Sequence, residues 1–347
     1  MFTTKSGEKI FVIDAHVHLW DGSKENQKNI HGKQFIDCFY DYHQLSPKEY
    51  IWPFEKYQKY TDADFEKDVF GEGYADLAIF NPQYLGDFYY HGFSNVERNE
   101  KFRQKHPDRI IANGWWDPRN GEPGLDQLAR DVEKYKWPGV KLYTAEWKGE
   151  SKGWKLSDPW AYRYLEKSRE LGIKNIHVHK GPTITPLNKD AFDVGDIDDA
   201  ASAFPDLNFI VEHVGLPRLS DFTFIAAQEK NVFAGLSVAI ALIHSRPRYF
   251  TEIISELLFW LGPDRILFGS DYALWVPKWI IEKFMALELP EDVASEIGQQ
   301  LTLETKRKIL GENAARLYNI DIAERSRQLG LAAPTKSKAS GERLVVA

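Results

Sequence analysis

Eight short apolar runs, each followed by a stretch with helical or mixed patterning, constrain this chain more than any other feature of its sequence. They fall at residues 10–13 (leading into His16), 75–80, 109–116, 139–143, 173–179, 207–213, 232–237 and 265–271. Runs of this length, rich in β-branched residues and bounded by turn formers, read as strands. Amphipathic stretches between them, such as residues 125–135, 160–171, 192–204 and 249–261, read as crossover helices. Strands joined by helices run parallel. The pattern therefore predicts an α/β fold, a (β/α)8 TIM barrel with further helices from Pro290 onward, and leaves an open doubly wound sheet as the alternative. A chain of 347 residues fills one such barrel, so residues 1–331 are expected to form a single domain. Residues 332–347 mix small and charged side chains without periodicity and are expected to be a mobile tail.

One segment breaks the alternation. Residues 21–72 form a long insertion after the first strand, polar at first and then carrying Phe35, Phe39, Tyr40, Tyr42, Tyr50, Trp52, Phe54, Tyr57 and Tyr60. It leaves the strand on the side where barrels carry their chemistry, so it reads either as a lid over the mouth or as a packed subdomain or oligomer contact.

Barrel chemistry sits at the C-terminal ends of the strands. The first run ends in Ile13-Asp14-Ala15-His16-Val17-His18, and the two-residue period of a strand points His16 and His18 the same way. Lys141 lies on the fourth run, His177 and His179 end the fifth, His213 ends the sixth and Asp271 ends the eighth. Five of the ten histidines thus terminate three strands, which reads jointly as a metal centre. Cys38 is the only cysteine, which excludes a disulfide within the chain and a thiolate cluster, leaving nitrogen and oxygen donors suited to a divalent ion, zinc or else iron or manganese. His177 reads as an extra ligand of a two-ion site or as a deeper residue orienting another imidazole. Asp14 reads as a buried carboxylate bonded to a histidine or to backbone. Arg119, Arg218 and Arg246 follow strands or turns and suit either an anionic substrate or loop salt bridges.

Four motifs carry a family resemblance: Asp14-Ala15-His16-Val17-His18, Val178-His179-Lys180-Gly181, Glu212-His213-Val214-Gly215 and Phe268-Gly269-Ser270-Asp271-Tyr272. Together they resemble the amidohydrolase superfamily, in particular the amidohydrolase-related group that includes aminocarboxymuconate-semialdehyde decarboxylase. The resemblance implies that His16, His18, His179 and Asp271 are metal ligands, and that His213 is a second-metal ligand or an acid-base and carbonyl-polarising group. Lys141 stands where some relatives carry a carboxylated lysine, or else partners a substrate carboxylate or an internal ion. The implied activity is metal-dependent hydrolysis or non-oxidative decarboxylation of a small molecule, with Asp271 relaying a proton, His213 steadying developing charge and Lys141 contributing. The surplus of histidines also allows a dinuclear iron or manganese/iron oxygenase acting on a small amide or amine. A non-catalytic partner subunit is the third possibility.

A net charge of −7, with Lys and Arg dispersed among acidic residues, gives no basic surface for nucleic acid. No window approaches 18 uninterrupted apolar residues and the first residues lack a signal-like apolar stretch, so the expectation is a cytoplasmic protein that does not engage a membrane. The expected partners are a small-molecule substrate and further subunits, in a homo- or hetero-oligomer with a related chain.

Overall fold

The computed structural model describes residues 1–335. All eight expected strands form: β1 (Ile13–Val17), β2 (Leu77–Phe80), β3 (Ile110–Ala112), β4 (Gly139–Leu142), β5 (Asn175–His179), β6 (Asn208–Glu212), β7 (Val232–Gly235) and β8 (Ile266–Leu267). Parallel ladders join β1 to β2 to β3, and β4 through β8 in order. The two arcs close on each other at both seams. Gly114 bridges to Val140, with Lys141 N–H donating to Gly114 O at 2.8 Å. At the other seam Val17 bridges to Tyr272, and the N–H of Asp271 donates to His16 O at 2.9 Å. Each strand therefore has two neighbours, which is the (β/α)8 barrel; an open sheet would leave two edges unpaired.

Helices cover the outside. Gly121–Tyr135 buries Leu125, Leu128 and Val132, spaced three and four residues apart on one face, and ends at Lys136 in a left-handed conformation. Pro159–Glu170, Gly195–Ala203 and Pro247–Leu261 occupy the other expected crossovers. Helices also form at Val96–Lys105, Leu219–Gln228 and Pro277–Ala286, where the apolar pattern is weaker or nearly continuous. No helix among the described residues is long and apolar enough to cross a membrane.

The barrel interior is layered by the strand period. Its floor is apolar, with Phe11, Ile13, Leu77, Ile79, Ile210, Phe233 and Leu267 packed against Ala314, Ala315 and Tyr318 from the C-terminal helical segment. Two residues further along the strands the interior turns polar: Ile79 gives way to Asn81, Ile210 to Glu212, and Phe233 through Gly235 to Ser237. An antiparallel pair, Phe2–Thr3 with Lys9–Ile10, precedes the barrel. Thr335 returns to Lys9, its N–H donating to Lys9 O at 3.0 Å; the rest of the expected tail lies outside the described residues.

The insertion folds as the helix Ile30–His43 and shorter helical turns through Gly71. Asn29 caps the first helix by accepting the His31 N–H. Its aromatic residues are packed on the barrel mouth: Trp20 meets Phe39, Tyr57 and Tyr60 edge-on and stacks on Phe93 at 5.3 Å. Tyr60 donates its hydroxyl proton to His18 O at 2.7 Å. His43 fastens the helix to the loop after β8, its Nδ1 bonding Leu274 O at 2.7 Å while Nε2 accepts the Trp52 N–H at 2.8 Å.

Candidate metal centre

His213 and Asp271 are among the mouth residues, with Val214 and Val238, held in backbone conformations that residues other than glycine rarely adopt. His213, just past β6, has φ 63°, and Asp271, past β8, has φ 59°. Strain of this kind costs roughly 1–3 kcal/mol per residue and persists only where the surroundings hold it. For Asp271 the hold is visible in its N–H bond to His16 O and the 2.7 Å bond its own carbonyl accepts from Leu274 N–H. β1 also shifts register against β2 between Asp14 and Val17, an irregularity of the sort that re-aims side chains.

The hydrogen-bond partners of the two β1 histidines fix their tautomers. His18 Nδ1 lies 2.6 Å from Asn81 O, which only accepts, so the proton is on Nδ1. His16 Nδ1 lies 2.8 Å from Glu212 Oε2, which places its proton on Nδ1 as well. Both Nε2 atoms are then bare lone pairs, and they face each other at 3.1 Å. Asp271 Oδ1 stands 3.1 Å from His18 Nε2. Ligand atoms of His16, His18 and Asp271 all lie within 4.8 Å of one another, and all three residues are buried. Three acceptors turned toward one point in a buried site repel unless a cation or proton lies between them.

His179 and His213 stand beside this cluster. His213 Nδ1 lies 3.0 Å from Ser237 O, so its Nε2 is the acceptor, and His179 Nδ1 donates to it at 2.9 Å. That leaves His179 Nε2 as a buried lone pair without a partner among the described residues. His213 Nδ1 is also 3.7 Å from Asp271 Oδ2. Burial, first of all, pushes the His16 imidazole down to about 3 and lowers His179 and His213 too. Neutral imidazoles are what a metal requires. The donor set of three histidines and a carboxylate, with one buried lone pair unclaimed, fits a divalent ion with nitrogen and oxygen ligands.

His177 is placed differently from its neighbour two residues on. It lies deeper, with Nδ1 2.6 Å from Glu212 Oε1 and Nε2 2.7 Å from the Tyr318 hydroxyl, so neither nitrogen is available as a ligand in this arrangement. Asp14 also lies deeper, accepting from the N–H groups of Ser270 at 2.8 Å and His16 at 3.3 Å, and burial pushes its carboxyl up to about 7. Lys141 is buried with no hydrogen-bond partner for Nζ among the described residues, and desolvation lowers it to about 8.

Glu212 joins these residues. Its carboxylate receives the Nδ1 protons of His16 and His177 and the Ser237 hydroxyl proton at 2.9 Å. Burial works to raise this carboxyl, and its histidine contacts outweigh burial and hold it well below the usual range. Gly235 makes room for it: a Cβ there would stand 2.3 Å from Glu212 Oε2.

A small cavity opens onto the cluster, lined by His18, Gln83, His179, His213 and Asp271 on the polar side and by Phe39, Tyr42, Pro182, Ile184, Val238 and Leu274 on the apolar side. Its volume is about 10 Å³, room for roughly one water. The arginines are elsewhere: Arg119 is paired with Asp117 at 2.6 Å, Arg218 with Asp193, and Arg246 lies over the Tyr249 ring at 4.6 Å.

The amidohydrolase family model matches residues 13–320, from the first residue of β1 to beyond the floor helices. The chain belongs to the amidohydrolase family. Solved structures similar to this amidohydrolase include an uncharacterised TIM-barrel protein from Bordetella bronchiseptica, at 16% identity and a TM-score of 0.65 over 89% of this chain and 99% of that one. An amidohydrolase from Burkholderia multivorans with bound zinc matches at 14% identity and a TM-score of 0.59, covering 90% of this chain and 100% of that one. A 5-carboxyvanillate decarboxylase from Novosphingobium aromaticivorans with bound manganese matches at 14% identity and a TM-score of 0.54, covering 92% and 100%. No curated protein matches the sequence.

Sequence reasoning overlooked Glu212, Ser237, Asn81, Asn113 and Tyr318 in this amidohydrolase. Glu212 carried a usable signal, a carboxylate ending an otherwise apolar strand and two residues on from the inward-facing Ile210. The amides and Tyr318 carried none, since neutral polar side chains have no metal-binding signature.

Proposed function

We propose that this amidohydrolase is a one-ion hydrolase or carboxy-lyase acting on a small organic substrate that bears an anionic group. The observation that carries the reading is the convergence of the bare Nε2 atoms of His16 and His18 with Asp271 Oδ1 at the barrel mouth. His16, His18 and Asp271 would hold the ion, with the unclaimed Nε2 of His179 as a fourth ligand. When bound, a divalent ion supplies Lewis-acid chemistry and polarises an oxygen of substrate or water.

The chain's own groups do the rest. In hydrolysis the Asp271 carboxylate takes one proton of the attacking water as its oxygen bonds to the carbonyl carbon, and returns that proton to the nitrogen or oxygen that leaves. In decarboxylation the carbon–carbon bond breaks, CO2 departs, and the electron pair left on the carbon takes up a proton supplied by solvent water. His213, held by Ser237 O, fixes the ring of His179. Lys141, an ammonium buried without a hydrogen-bond partner among the described residues, supplies a counter-charge for the substrate's anionic group, because a buried cation with unmet hydrogen bonds is costly until an anion joins it. The apolar wall of Phe39, Tyr42, Ile184 and Leu274 excludes water and suits a planar apolar body. Likeness of fold to a manganese-bound decarboxylase and a zinc-bound amidohydrolase supports both reaction types.

His177 supplied the surplus ligand behind the two-ion oxygenase reading. With both of its nitrogens engaged by Glu212 and Tyr318, that motive is gone. The complete donor set likewise leaves the non-catalytic reading without support. The test is to count zinc, manganese and iron per purified chain, and then to assay small carboxylic acids, their amides and lactones for CO2 release and for uptake of labelled water oxygen. One ion per chain and ion-dependent turnover are expected. A protein that retains no divalent ion, with His16→Ala indistinguishable from wild type, would sink the assignment.

A further inference from the structure

We infer that Tyr318, far from the strand-end motifs in sequence, is a positioning residue for the metal centre, because its hydroxyl closes a buried ring of hydrogen bonds that holds His16 and His18 with their Nε2 lone pairs facing the site. The inference rests on the metal reading above.

The ring runs through the ends of five strands, β1, β2, β3, β5 and β6, and the C-terminal segment. From His16 Nδ1 it passes to Glu212 Oε2 at 2.8 Å, and from Glu212 Oε1 to His177 Nδ1 at 2.6 Å. His177 Nε2 then meets the Tyr318 hydroxyl at 2.7 Å. Tyr318 meets Asn113 Nδ2 at 2.9 Å, and the same Nδ2 donates to Asn81 Oδ1 at 2.9 Å. Asn81 completes the circuit to β1: its carbonyl faces His18 Nδ1 at 2.6 Å, and its Nδ2 donates to Ala15 O at 3.1 Å.

Proton counting gives the ring a direction. The Glu212 carboxylate only accepts, so His177 carries its proton on Nδ1 and presents a bare Nε2. Tyr318 must therefore donate its single proton to His177. It then accepts from Asn113, whose two amide protons go to Tyr318 and Asn81. Every proton has one place, and each of the two β1 histidines is left with its proton on Nδ1, His16 by the Glu212 carboxylate and His18 by the backbone carbonyl of Asn81, whose side chain the ring holds in place. Without the phenol, His177 Nε2 is a buried acceptor with nothing to accept, and Asn113 has a proton with no destination.

The space for this apex is built in. A Cβ on Gly139 would stand 2.6 Å from Asn113 Oδ1 and 3.1 Å from the Tyr318 hydroxyl, so only glycine at the start of β4 admits both. Tyr318 enters from the barrel floor, where it packs with Ala314 and Ala315. Its phenol is kept protonated by burial, which raises it above the ordinary range.

The test is Tyr318→Phe, which removes only the hydroxyl. Zinc and manganese dissociation constants are measured on the metal-free protein by competition with a chromophoric chelator, alongside the visible spectrum of the cobalt-loaded protein. Loss of an outer partner of a metal-bound histidine typically weakens binding 10–100-fold. Tyr318 stands two hydrogen bonds beyond the outer partners Glu212 and Asn81, so the low end, about 10-fold weaker zinc binding, and a shifted cobalt spectrum are expected. A folded Tyr318→Phe protein with wild-type zinc affinity and cobalt spectrum overturns the inference. Should the variant not fold, nitrogen-15 NMR of histidine-labelled, metal-free wild type decides: an Nδ1–H tautomer at His177, its Nε2 accepting from the Tyr318 hydroxyl, upholds the ring, and an Nε2–H tautomer at His177 overturns it. If wild type binds neither ion, the metal reading itself fails, an outcome distinct from normal binding that ignores Tyr318→Phe.

Discussion

Glu212→Gln tests the electrostatics of the centre at its most connected atom. The carboxylate accepts from His16 at 2.8 Å, His177 at 2.6 Å and Ser237 at 2.9 Å, all in a buried setting. Glutamine keeps the shape and removes the charge, and it must turn its NH2 toward one of the two imidazole N–H groups. If it faces His177, that ring moves its proton to Nε2, and Tyr318 can redirect its own proton to Asn113 Oδ1, 3.1 Å away. The side chain then survives in place, but His16 donates to a neutral amide. A hydrogen bond to a charged group contributes about 1.5–3 kcal/mol against roughly 0.5–1.5 for a neutral one. Over the two imidazole bonds the loss is about 2 kcal/mol, which corresponds to roughly 30-fold in a dissociation constant. The assay is zinc competition with a chelator on metal-free protein, with far-UV circular dichroism and a thermal scan to confirm folding. A folded Glu212→Gln protein binding zinc within threefold of wild type would refute the claim that this carboxylate governs His16.

Asp271→Asn should cut bound metal to near zero while the barrel folds, since asparagine tolerates the left-handed backbone there; elemental analysis and circular dichroism check it. His177→Ala should leave the number of ions per chain unchanged and weaken their binding, and a halved stoichiometry would restore a two-ion site. His43 should make the protein acid-sensitive. Burial holds its imidazole down at about 4, so between pH 6.5 and 4 the unfolded chain takes up a proton that the folded one refuses. The His43 contribution to stability is therefore full above pH 6.5 and falls by roughly 3 kcal/mol as pH drops toward 4; urea unfolding should show a shallower acid slope in His43→Gln than in wild type, the remainder coming from the other buried imidazoles, His16, His179 and His213.

Much of this molecule is legible before folding, and the limit falls at particular residues. The strand-end positions of His16, His18, His179, His213 and Asp271 follow from runs whose period and order survive as local sequence, and the barrel needs little more. Period two also places His177 on the same face as His179, correctly, but it says nothing of depth. Depth decides that one borders the cavity and the other meets Tyr318. Asn81, Asn113 and Tyr318 lie 32 and 205 residues apart along their hydrogen bonds. Their adjacency exists only once the barrel has closed. The aromatic insertion was visible as composition, while its seat on the mouth depends on contacts such as Trp20 with Phe93 that no local pattern announces.

The tightness of the cavity has a thermodynamic consequence. A space of about 10 Å³ bounded by Phe39 and Tyr42 holds about one water, so a larger ligand must displace side chains that line it, and a conformer with that lining opened is a separate population. The measured affinity is then the intrinsic one scaled by the fraction of molecules in that conformer; a population of about 1% weakens it roughly a hundredfold. Substitutions that loosen Ile30–His43, far from any reacting atom, should thus tighten apparent binding, and the packing of aromatic rings becomes a tuning dial for the enzyme's working concentration range.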